Sequence, residues 1–268
     1  MWYWIFKYVL IGPILWLMGR PRIEGAENVP SSGPIIVAGN HLTVVDSFFL
    51  VLVMRRRVKF VAKSEYFSGH GLKGRLISWF YTSAGQVPVD RSGSGAGEPA
   101  LNAARQILAE GGIWAIYPEG TRSPDGRLYK GKTGMARVAL ESGAPVVPVV
   151  MFGTKKFNPV GSKMWRPTKI VVKFGTPMDF SRYREFSGHR AVVRSVTDEV
   201  MYSLMSMSGQ EYVDVYAASM KAGPMKAGPV KQGRCRQPDE SVTACGSAGG
   251  STAPLPTPVG RTSSSSTR

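Results

Sequence analysis

Short runs rich in valine and isoleucine, cut by glycine, proline or asparagine and spaced by helix-length segments, constrain this chain most. Ile35–Ala38, Val58–Lys63, Ile113–Tyr117, Ala144–Met151 and Thr168–Phe174 read as strands, and Gly85–Val89 as a short extended segment. Between and after them, Leu101–Glu110, Thr133–Ser142 and about His189–Met207 read as helices, the second stopped by Gly143. Strands alternating with helices predict an α/β layer architecture. At 268 residues there is enough chain for one sizeable core.

The first strand runs into a turn and then into chemistry. Gly39-Asn40 follows it, then His41, and Asp46 comes five residues after the histidine with only uncharged residues between. Positions five apart diverge on a helix and face opposite ways on a strand, so the two side chains meet only across a turn. The sequence supplies one: Thr43 is placed to N-cap a helix through Ser47–Met54, with His41 on the entry loop and Asp46 in the first helical turn. Imidazole is the side chain whose ordinary pKa suits a base near neutrality, and a carboxylate on its second nitrogen fixes the tautomer. A structural reading stands beside this one. Thr43-x-x-Asp46 is a capping-box pattern, in which Asp46 serves the helix start and His41 is a loop residue.

The formal net charge is +16, and only +3 of it lies in residues 209–268 (seven Lys/Arg against four Asp/Glu), leaving +13 on residues 1–208. A body this basic suits nucleic acid, anionic lipid or phosphorylated small molecules. The only cysteines, Cys235 and Cys245, give no disulfide framework and no metal spacing. No metal site is expected.

Residues 1–20 are strongly apolar, with Trp2, Tyr3, Trp4, Tyr8 and Trp16 among them, and are interrupted by Lys7 and Pro13. They are barely long enough to span a bilayer and carry the aromatic residues of a membrane interface. They are expected to form an anchor in the interface, or a single span, with Arg20 and Arg22 holding the body on the cytoplasmic face of the cell membrane. A helix packed on the protein's own core is the alternative. Residues 21–208 form the domain proper. Residues 209–268, rich in Gly, Pro and Ser and with a tandem Lys-Ala-Gly-Pro, read as a disordered basic tail.

Two further turns deliver arginines. Gly85-Gln86-Val87-Pro88-Val89-Asp90-Arg91 ends an extended run, and Tyr117-Pro118-Glu119-Gly120-Thr121-Arg122-Ser123 follows a buried strand. Guanidinium suits bidentate phosphate recognition, although each could equally be a turn with a surface ion pair. Pro145-Val146-Val147-Pro148-Val149 completes a set of four blocks. Residues 126–133, Gly-Arg-Leu-Tyr-Lys-Gly-Lys-Thr, also match the P-loop pattern. That would make the chain a nucleotide-binding protein, but the interior is bulky where backbone must wrap phosphate. A non-catalytic basic membrane-binding protein is a third reading, which leaves the ordered blocks unexplained.

The four blocks, His41-x4-Asp46, Gly85-x-x-Pro88-Val89-Asp90-Arg91, Tyr117–Ser123 and Pro145–Val149, together resemble the glycerolipid acyltransferases of the 1-acylglycerol-3-phosphate type. The likeness covers roughly residues 20–208. It implies a single acyltransferase domain with a central mixed, largely parallel sheet flanked by helices, plus the N-terminal apolar helix. It implies transfer of a fatty acyl group from acyl-CoA or acyl carrier protein to the hydroxyl of lysophosphatidate. His41 matches the family's base and Asp46 its partner. Arg91 and Arg122 match the acceptor phosphate site, with Glu119, Gly120 and Thr121 shaping it. Lys63, Lys130 and Lys132 are accessory candidates or plain surface lysines. Beyond the acyl thioester no cofactor is implied, the expected partners are the two substrates and an anionic membrane, and no nucleic acid is expected.

Overall fold

The computed structural model describes residues 2–63, 86–89, 97–159 and 164–221, all within one compact unit. A helical segment α1 (Trp2–Gly19) leads in, with a π-helical stretch at Phe6–Leu10. Then follow β1 (Arg22–Glu24), β2 (Ile35–Gly39), α2 (Val45–Val53), β3 (Val58–Lys63) and β4 (Gln86–Val89). After these come α3 (Glu98–Ala109), β5 (Ile113–Ile116), β6 (Leu128–Tyr129), α4 (Gly134–Ser142) and β7 (Val146–Phe152). The short α5 (Thr154–Phe157), β8 (Val171–Phe174), α6 (Arg190–Ser208), β9 (Tyr212–Val213) and α7 (Ala217–Lys221) complete the described chain.

Seven strands form one sheet in the order β1-β8-β7-β2-β5-β3-β4. Every pairing is parallel except β7 with β8, so the sheet is mixed and mostly parallel, as expected. A strand covered by helices on both faces must be apolar on both, and all five residues of β2 are buried. One face carries α3, α4 and α6, whose Leu108, Leu140 and Leu204 meet Trp114 and Val146. The other carries α1 and α2, with Leu15, Phe49 and Leu50 over Val37 and Val149. Each such side chain contributes about 1.5–3 kcal/mol on burial.

Several boundaries moved for local reasons. Helix α3 begins three residues before the expected Leu101 because Pro99 starts its first turn, where a missing N–H costs nothing. The last strand is shorter than Thr168–Phe174: the N–H groups of Thr168 and Ile170 go instead to the carbonyls of Met18 and Gly19 at the end of α1. Arg56 is half-buried and ties three loops together. Its guanidinium donates to the carbonyls of Pro30, Gly33 and Gly111.

Helix α1 lies on the body along one face. Tyr3 and Leu15 are buried, the Tyr3 hydroxyl accepts the Val58 N–H at 3.2 Å, and Lys7 donates its ammonium to the Met54 carbonyl at the end of α2. Its other face exposes Trp2, Trp4, Tyr8, Ile14, Trp16 and Leu17. The segment is long and apolar enough to cross a membrane by length and composition.

The reading of residues 209–268 as tail needs correcting at its start. Gly209, at φ +66°, ends α6 and turns the chain back, and β9 then pairs in parallel with β6. Ala217 beyond it is fully buried. The expected tail beyond Lys221 lies outside the described residues.

Candidate active site

Strands β2 and β5 are parallel neighbours in register, with Ala38 opposite Ile116. The loops that follow them, carrying His41 and Glu119–Arg122, therefore leave the sheet side by side at its carboxyl end, the edge where open α/β sheets build their sites.

His41 and Asp46 meet as the spacing required. Nδ1 of His41 lies 3.0 Å from Oδ2 of Asp46. The same oxygen accepts the N–H of Leu42 and of Thr43, each at 2.7 Å, and Oδ1 accepts the Thr43 hydroxyl at 3.3 Å. Asp46 is fully buried. A carboxylate ringed by donors is the acceptor, so Nδ1 carries the proton and Nε2 keeps its lone pair on the pocket side. The two readings of this motif merge, because Asp46 supports the helix start and the imidazole with one carboxylate. Thr43 is not the N-cap, however. Helix α2 starts after Val44 with no side-chain cap, since the Thr43 hydroxyl is spent on Asp46.

The ring of His41 stacks on that of Tyr117, 3.9 Å between centroids and 8° from parallel. The Tyr117 hydroxyl bonds Ser47 Oγ at 2.9 Å, beside Asp46 on α2. Burial pushes the Tyr117 phenol well above its usual range, and the Asp46 charge adds to this, so the ring stays neutral. Neither Tyr117 nor Ser47 stood out in the sequence as a partner of the histidine. The only signals were a serine opening an apolar helix and an aromatic residue closing a strand.

Glu119 acts on the backbone of the two loops. The residue is 1% exposed, and its carboxylate accepts the backbone N–H of His41 at 3.1 Å and of Tyr129 at 3.0 Å. The His41 carbonyl in turn accepts the Ser123 N–H at 2.7 Å. Glu119 thus pegs the histidine loop to the 117–132 segment and does not face the pocket. Gly120 is required by geometry: its φ is +73° and an added Cβ would come within 3.0 Å of the Lys132 side chain.

Gly120, Thr121, Arg122 and Lys132 line the same cavity as His41, a space of about 590 Å³. Arg122 and Lys132 are exposed at it. Further in, Phe60, Leu101, Trp114 and Met135 make an apolar wall. Lys130 is not brought to the site, because its ammonium pairs with Asp214 at 2.9 Å. Arg91 lies outside the described residues, as does the side chain of Lys63.

The P-loop reading of 126–133 fails on its backbone. A phosphate cradle needs free N–H groups converging on one point. Here those of Gly126 and Arg127 go to Ser123 and Asp125, and those of Leu128 and Lys130 to the β9 segment. Those of Tyr129 and Lys132 go to Glu119 and Pro118. Leu128–Tyr129 is strand, with Tyr129 fully buried. Among the described residues no cluster of three or more His, Cys, Asp or Glu could hold a metal ion.

Known proteins of similar sequence and fold are acyltransferases. The acyltransferase family model matches residues 20–152. A 1-acyl-sn-glycerol-3-phosphate acyltransferase of Limnanthes alba is 33% identical over 177 residues, covering 65% of this chain and 60% of that protein. A chloroplastic one of Arabidopsis thaliana is 36% identical over 143 residues, 53% of this chain and 38% of its own length. The chain therefore spans about 60% or less of these relatives. The crystal structure of the 1-acyl-sn-glycerophosphate acyltransferase of Thermotoga maritima superposes with a TM-score of 0.56 at 26% identity, covering 72% of this chain and 73% of that one. With a His41–Asp46 pair in the family's matched segment and the same fold around it, this chain belongs to the acyltransferase family.

Proposed function

We propose that the protein is a lysophosphatidate acyltransferase, moving a fatty acyl group from an acyl thioester to the free hydroxyl of lysophosphatidate to give phosphatidate. The observation that carries this is the oriented His41–Asp46 pair opening on a cavity with cations at its mouth and an apolar interior. The acceptor hydroxyl gives its proton to His41 Nε2 as its oxygen attacks the thioester carbon. The imidazolium formed faces the Asp46 carboxylate, which stabilises it. Collapse of the tetrahedral species breaks the C–S bond, and the departing thiolate takes the proton back from Nε2. No covalent enzyme intermediate and no metal is needed.

Arg122 and Lys132 hold the acceptor phosphate, a role in which a guanidinium fork and a point charge complement each other. Arg91 joins them by its place in the motif. The acyl chain lies along Phe60, Leu101 and Trp114, and coenzyme A or acyl carrier protein delivers it. Labelled acyl-CoA assayed against a panel of lysophospholipids tests this reading. Lysophosphatidate is expected to be the preferred acceptor, and Arg122→Ala to raise KM for it about tenfold or more, as loss of a charged hydrogen-bond partner implies, while KM for the donor stays. Equal use of an acceptor whose phosphate is capped by choline would refute the assignment.

The protein works at a membrane surface, as a peripheral or monotopic enzyme on the cytoplasmic face. One face of α1 is seated on the body while Trp4, Trp16 and Leu17 point outward, the form of a helix lying in the interface. Arg20 and Arg22 follow it, where anionic headgroups attract basic residues. Residues 1–20 are the anchor, and the catalytic body continues past residue 208 through the β6–β9 pairing.

A further inference from the structure

Gln210 lies beyond the segment that the family model matches, yet it touches both sides of the catalytic loop assembly. Its Oε1 accepts Nδ2–H of Asn40 at 2.8 Å, and its Nε2 donates to the Gly126 carbonyl at 2.6 Å. Asn40 is 1% exposed and adjoins His41, and its other atom, Oδ1, accepts the Met151 N–H at 3.1 Å at the end of β7. Gly126 belongs to the 117–132 segment that Glu119 pegs to His41. One carboxamide thus closes a ring through the histidine loop, the arginine-bearing loop and the sheet.

The strap that carries Gln210 is itself anchored. Leu128 and Lys130 donate backbone N–H groups to the carbonyls of Glu211 and Val213. Lys130 pairs with Asp214 at 2.9 Å and Arg127 with Glu211 at 3.4 Å. Gly209, at φ +66°, aims the chain into this position. An open cleft of about 150 Å³ is bordered by Asn40, Leu42, Gly126 and Gln210. When the carboxamide bridge is lost, this space gives the loops somewhere to go. Without it, dense packing would hold them in place regardless.

We infer that Gln210 is a positioning residue for acyl transfer, acting through Asn40 and Gly126 to hold His41 in register with the Arg122 turn. The inference rests on the acyl-transfer reading for its kinetic consequence, but not for its structural one. A displacement of about 1 Å in such an arrangement costs up to roughly a hundredfold in rate.

Kinetics of Gln210→Ala, Asn40→Ala and the double variant, beside amide hydrogen exchange of each, test it. Gln210→Ala is expected to lower kcat about tenfold or more with both KM values little changed and cooperative thermal unfolding retained. The double variant should be no slower than Asn40→Ala alone, because residues in one network are not additive. Exchange should quicken in segments 40–46 and 119–129. Full kcat in Gln210→Ala, a loss matched by a fall in folded fraction, or additive effects would overturn the inference. So would unchanged exchange in those segments. The exchange measurement needs no substrate, so its failure is distinct from a failure to find acyl transfer in the wild type.

Discussion

Asp46→Asn is expected to leave the fold standing and to slow turnover by about 30- to 1,000-fold. The argument turns on which atom occupies the Oδ2 site. Leu42 and Thr43 both aim buried N–H groups there, at 2.7 Å each. Leaving such a donor without a partner costs about 1–3 kcal/mol, so the amide oxygen must take that site and Nδ2 must face the Thr43 hydroxyl, which can accept. The amide oxygen then still receives Nδ1–H of His41, and the tautomer is kept. What is lost is the charge. A carboxylate 3.0 Å from an imidazolium attracts it by about 5–6 kcal/mol at an effective dielectric near 20. The amide dipole restores part of this, leaving a net loss of about 2–4 kcal/mol in the step where His41 is charged, at 1.36 kcal/mol per tenfold in rate. Asp46→Ala differs in kind. It strands both backbone donors and should cost about 2–6 kcal/mol of stability as well. Single-turnover acyl transfer beside urea unfolding separates the two variants. An Asp46→Asn protein as fast as wild type, or as unstable as Asp46→Ala, would refute the reasoning.

Two other outcomes follow from the same geometry. Tyr117→Leu removes the ring that His41 stacks upon and should lower kcat several-fold, while Tyr117→Phe keeps the stack and most of the activity; steady-state kinetics of the pair read this directly, and equal losses would assign the effect to the Ser47 hydrogen bond. Replacing the exposed Trp16 and Leu17 by serine should weaken co-sedimentation with anionic vesicles and leave the melting temperature nearly unchanged, because neither side chain packs on the body; undiminished binding would move the membrane contact elsewhere.

The strands and the histidine–aspartate pairing were legible because they are local. Apolar runs of four to seven residues bounded by turn formers announce buried strands, and an i to i+5 pair with a turn between can meet in few ways. What was not legible depends on partners distant in sequence. Glu119 sits in a recognisable turn, but nothing nearby says that its carboxylate will receive the amide of His41, 78 residues earlier. Strand β9 is two residues long and pairs with one equally short, 84 positions before it, so it has no periodicity to detect. Gln210 therefore read as the start of a polar tail. Thr43 was misread as a cap because local pattern cannot tell whether a hydroxyl serves a helix amide or a carboxylate three residues on. Lys130 and Lys132 were indistinguishable by sequence. The fold separates them, sending one to Asp214 and the other to the cavity with Arg122.

The base assignment of His41 is the centre of the account, and replacing it by alanine tests it most directly. Glu119 and Ser123 bind the backbone of residue 41, not its ring, so the loop keeps its anchors in the variant. Transfer of labelled acyl groups from acyl-CoA to lysophosphatidate, measured beside thermal unfolding, is expected to fall to background in His41→Ala with the melting transition preserved. Near-normal turnover in a folded His41→Ala protein would contradict the account.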